Sequence, residues 1–60
     1  MKGRVTWWNN STRCGFIEVN DEEFFVHTED DTSLYDDELV EFSIKQNHEG
    51  LFIYNLKEVA

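Results

Sequence analysis

Cys14-Gly15-Phe16-Ile17-Glu18-Val19, then Asn20-Asp21, then Glu22-Glu23-Phe24-Phe25-Val26-His27, reads as a β-hairpin. Side chains alternate across a strand, so Ile17 and Val19 share one face while Cys14, Phe16 and Glu18 take the other. Asn20-Asp21 is a turn-forming pair, because both residue types tolerate the backbone a tight hairpin needs. Beyond it, Phe24 and Val26 alternate with Phe25 and His27. Phe16 and Phe25 therefore lie opposite the aliphatic faces, and closing the hairpin makes them cross-strand neighbours.

The same alternation continues on both sides. Arg4–Trp8 forms a first strand. Val40, Phe42 and Ile44 alternate with Glu41, Ser43 and Lys45 in a fourth, and a turn at Asn47-His48-Glu49-Gly50 leads into a fifth over Leu51–Leu56. No window of about a dozen residues repeats with a helical period, which excludes a helix bundle. In the longer segment Thr28–Asp37, Ser33 with Asp36 three residues later predicts a cap on one helical turn. Five strands that cannot cover both faces of a flat sheet are best satisfied by curling into a closed barrel. The expected core is Val5, Ile17, Val19, Val26, Val40, Phe42, Ile44 and Leu56, joined by Phe24 and Ile53. With no proline, repeat or linker, one domain is expected over residues 1–60.

Sixty residues bury only about 60% of the unfolded surface, which implies a stability of roughly 3–5 kcal/mol and a function on an open face. Cys14 is the only cysteine, so no internal disulfide is available, as suits a reducing compartment. No apolar run approaches a membrane span and no leader is evident, so the expectation is a cytoplasmic chain without membrane contact. Five Lys and Arg against thirteen Asp and Glu give a net charge of −8, which taken alone opposes a phosphate-bearing partner. The distribution is less unfavourable. Lys2, Arg4, Arg13 and Lys45 fall in or near predicted strands, whereas Glu29, Asp30, Asp31, Asp36, Asp37 and Glu38 crowd one connection, read as a solvated loop.

The candidate functional residues are the aromatics left outside the core. Phe16 and Phe25 form a pair, His27 continues the face of Phe25, and of the adjacent Trp7 and Trp8 at least one must point outward. Such a surface is costly to leave wet, and unpaired bases stack on it at about 1–3 kcal/mol each with little regard to sequence. The pair also suits the edge of a small core, and His27 suits either role. Arg4, Arg13 and Lys45 are candidate phosphate contacts. Phe52 and Tyr54 flank Ile53, making both faces of the last strand bulky, which suggests core filling or a dimer or partner patch. No nucleophile with an orienting base, no structural zinc spacing, no EF-hand loop and no glycine-rich phosphate loop is present, so neither an enzyme nor a cofactor is expected.

Gly3-Arg4-Val5-Thr6-Trp7-Trp8-Asn9 resembles the opening of the cold-shock domain, Gly-x-Val-Lys-Trp-Phe-Asn. Cys14-Gly15-Phe16-Ile17 resembles the end of that family's first ribonucleoprotein motif, and Phe24-Phe25-Val26-His27 its second. Val40-Glu41-Phe42 and Asn55-Leu56 match the fourth and fifth strands, so the likeness spans essentially the whole chain. The resemblance implies a five-stranded antiparallel barrel of the oligonucleotide-binding (OB) fold. It also implies a partner, single-stranded RNA or DNA, often bound in an RNA-chaperone role, with Trp7, Trp8, Phe16, Phe25 and His27 as the base-stacking surface. For Trp7 this conflicts with strict alternation, which a bulge in the first strand would reconcile. The chain departs from the pattern at Cys14 and Thr28, where the family has aromatics, and at Thr6 and Thr12, where it has cations. Small residues of the last strand have become Phe52-Ile53-Tyr54. Losing two stacking rings costs on the order of 2–6 kcal/mol of binding.

Two functions follow. The first is a single-stranded nucleic-acid binder, weaker than typical members. The second is an acidic protein-interaction barrel that has lost nucleic-acid binding, with a protein partner or a homodimer through the last strand.

Overall fold

A computed structural model of the chain describes residues 1–48 and 50–59. Its strands are β1 (Lys2–Asn9), β2 (Cys14–Val19), β3 (Glu22–His27), β4 (Leu39–Asn47) and β5 (Gly50–Glu58). They close into a barrel in the order β1-β2-β3-β5-β4, with β4 returning to pair with β1. The expected all-β, five-stranded barrel is what the chain forms. Directions cannot alternate all the way round a ring of odd number, so one seam must run parallel. It falls between β3 and β5 and is short, joining only Val26 to Leu51 and His27 to Phe52.

The β2–β3 hairpin has the register its alternation dictates, with Phe16 opposite Phe25 and Cys14 opposite His27. Asn20 and Asp21 carry φ of 51° and 67°, the left-handed pair that matches the twist of the flanking strands. Glu49, within the turn expected over residues 47–50, lies outside the described residues. Gly50 beside it has φ of 114°, a conformation open to glycine.

Two irregularities re-aim side chains. In β1, Val5 pairs with Ile17 but Trp7 pairs with Phe16, so Thr6 is one extra residue. After this bulge the alternation is reversed, and Trp7 turns outward while Trp8 turns into the core. In β5, the register slips between the Glu41–Lys57 and Ser43–Tyr54 pairs, and Asn55 takes φ of 56° there.

The core comprises Val5, Trp8, Ile17, Val26, Leu34, Val40, Phe42 and Ile53. Val19, Phe24, Ile44 and Leu56, expected inside, pack against it half-buried, the first three around an apolar opening at one end of the barrel. Trp8 and Leu34 join the core from outside the set that alternation predicts. Leu34 belongs to the acidic connection and is 2% exposed, so that segment is more than a solvated loop. Asn10 fastens it at both backbone groups, its amide nitrogen donating to the Leu34 carbonyl and its oxygen accepting from the Leu34 N–H, both at 3.0 Å. This clamp holds the backbone extended, and no helix forms among the described residues, the turn expected at Ser33–Asp36 included. A tight turn follows instead, closed by the Glu38 N–H on the Tyr35 carbonyl at 3.2 Å.

Candidate functional site

The outward residues of β1, β2 and β3 form cross-strand rows. Arg4, Glu18 and Glu23 make a charged row. Trp7, Phe16 and Phe25 make the next, and Asn9, Cys14 and His27 the third. The third row continues through the parallel seam to Phe52 on β5 and then Lys45 on β4.

The middle row is an aromatic wall. The Trp7 and Phe16 centroids are 6.3 Å apart with rings tilted by 50°, and Phe16 meets Phe25 edge-on at 5.2 Å. Trp7 is 47% and Phe25 52% exposed, with Phe16 half-buried between them. These contacts lie in the range that favours aromatic pairs, which holds the rings in fixed attitudes. The wall depends on the bulge. Thr6 places its hydroxyl 3.2 Å from the Phe16 carbonyl and 3.0 Å from a Glu23 carboxylate oxygen, one hydrogen shared between two acceptors. Behind it the Trp8 ring lies over Gly15, where a Cβ would sit 2.7 Å from ring atom Cε3 and press into the Trp7 carbonyl. Only glycine fits beneath that indole.

Trp8 is therefore withdrawn from the stacking set. It is 8% exposed, and its Nε1 finds no hydrogen-bond partner among the described residues. Trp7, Phe16, Phe25 and His27 are brought together as expected from the alternation and the bulge. Cys14 occupies the centre of the third row, its sulfur 3.0 Å from the Thr12 hydroxyl. Thr28 is 4% exposed, so that position adds nothing to the outer face.

The three cations fare differently. Arg4 bonds Glu18 at 3.0 Å and Asp37 at 2.7 Å. The hydrogen bond and charge of Glu18, reinforced by Asp37, raise its pKa above the ordinary guanidinium value. Arg13 donates to the Glu29 carbonyl at 3.1 Å and pairs with Asp31 at 3.2 Å. Both arginines, taken from sequence as open phosphate contacts, are thus turned toward carboxylates. Lys45 is exposed, and no ion pair among the described residues involves it. Its Nζ lies 5.1 Å from the Phe52 centroid and 5.6 Å from that of Tyr54.

Phe52 and Tyr54 do not fill the core. Ile53 between them is fully buried, which turns both neighbours outward. Phe52 meets His27 edge-on at 5.2 Å and stacks with Tyr54 at 6.3 Å and 24°. Period-two logic applied to Ile53 as the inward residue would have placed them there.

The family model of the 'cold-shock' DNA-binding domain matches residues 1–58. No curated protein matches the chain.

Proposed function

The chain belongs to the cold-shock DNA-binding domain family, and from that premise we propose that it binds single-stranded RNA or DNA by stacking bases on Trp7, Phe16, Phe25 and His27. The observation that carries this reading is the Trp7–Phe16–Phe25 row, flat rings exposed on a rigid sheet with carboxylates confined to the neighbouring row. A row of rings accepts any base, because every base has a π-face, so sequence preference is weak. Affinity is low beside a wall with a ring at position 14, and transient, sequence-tolerant binding suits RNA-chaperone work. With two arginines occupied by carboxylates, few counterions are released on binding and the salt dependence is shallow.

Titration with oligothymidine and oligouridine at low salt, followed by tryptophan fluorescence, tests the reading. Quenching is expected for the wild type and for Trp8→Phe, whose ring is buried, and is lost in Trp7→Phe. Phe16→Ala and Phe25→Ala each weaken binding by about tenfold to hundredfold. Absence of quenching at about millimolar oligonucleotide would overturn the proposal and leave a protein-interaction barrel as the working account.

A further inference from the structure

We propose that Phe52, Tyr54 and Lys45 form a second stacking platform that receives further unpaired bases of the same strand, resting on the stacking reading given above. Three observations converge on it. The platform adjoins the wall: His27 follows Phe25 on the outward face of β3, is paired to Phe52 on β5, and its ring touches that of Phe52. Its two rings are nearly parallel, at 24°, and both are partly open to solvent, so they present adjoining flat faces. Its cation is the candidate phosphate contact that no ion pair among the described residues involves.

Lys45 now covers the rings through cation–π contacts. A stacked base gains more than an exposed cation–π contact gives up, so a base displaces the ammonium, which then swings to the adjoining phosphate. The occupant is an unpaired nucleic-acid strand and not a second copy of the chain. Lys45 supplies positive charge on a face that a copy carrying the same lysine would repel, and the way from Trp7 to Tyr54 runs over neighbouring outward positions of β1, β2, β3 and β5. The ring lost at position 14 is thus compensated on β5.

The test compares oligouridines of about four and about eight nucleotides, within the span one barrel of this type holds. In the wild type the longer strand binds tighter. In Phe52→Ala/Tyr54→Ala the shorter strand binds as before, while the longer loses about tenfold to hundredfold. Lys45→Gln, at an exposed site, lowers the salt slope for the longer strand by about one. Amide resonances of residues 45, 52 and 54 in the unmutated protein shift with the longer strand and not the shorter, a readout independent of any folding defect. Undiminished binding of the longer strand by the double variant, shifts confined to β1–β3, or a dimer formed through these rings would overturn the inference while leaving the wall intact. Failure of the wild type to bind either length would remove the stacking reading beneath it as well.

Discussion

On the wall, Trp7, Phe16 and Phe25 stand in one row on paired strands. On the connection from Thr28 to Glu38, six carboxylates surround a single buried leucine. The connection draws Arg4 to Asp37 and Arg13 to Asp31. A net charge of −8 is therefore a poor guide to what the wall accepts. What matters is where the cations are held, because exposed charges act over about a Debye length.

The comparison breaks first at the base of the wall. Gly15→Ala drives a methyl group into Trp7 and Trp8 backbone that cannot yield. A loss of about 3 kcal/mol or more is expected, enough to unfold much of a domain this small, as read by urea titration and far-UV circular dichroism. Native-like melting in this variant would refute the interlock between Gly15 and Trp8.

The connection is next. Leu34→Ala should cost about 2–4 kcal/mol by leaving a cavity, whereas Tyr35→Ala, one residue along and 65% exposed, should stay within about 0.5 kcal/mol. Equal effects would return the segment to the status of a solvated loop.

Charge exchange between the regions is subtler. Asp31→Asn releases Arg13 from its ion pair and Asp37→Asn leaves Arg4 with Glu18 alone, and together they should strengthen oligouridine binding about threefold to tenfold at low salt with a steeper salt slope. Melting temperature should hardly move. Unchanged affinity would place both guanidiniums away from the strand's path.

The smallest effect concerns Glu38. Burial, aided by the hydrogen bond and charge of Glu58, pushes its carboxyl above the ordinary carboxylate value. A raised acid contributes stability that is full below the ordinary range and lost as pH rises through the raised value. Glu58→Gln should therefore stabilise the protein at neutral pH by about 0.5 kcal/mol or less, given solvent screening, with no gain in acid. A gain independent of pH would point to a cause other than this pair.

Much of this was legible in the chain itself. Period-two alternation around Asn20-Asp21 set the β2–β3 register, and with it the pairing of Phe16 with Phe25, because a strand's side chains have only two directions. Trp8 shows where that logic stops. A single inserted residue reverses the alternation, and the choice of Thr6 as that residue depends on its contacts with Phe16 and Glu23, which are remote in sequence. Leu34 was hidden for a related reason, since a lone leucine in an acidic segment has no period to betray it. Its burial follows from the Asn10 clamp 24 residues away.

Sequence by itself determined the number of strands, their order along the chain, the principal turn and the kinds of side chain each face could show. These are local matters, fixed by alternation and backbone preference. Tertiary structure alone decided which tryptophan faces water, which cations are captured by carboxylates, and that Phe52 of β5 lies against His27 of β3. Each of these is a contact between distant segments, and closing the barrel is what brings them within reach.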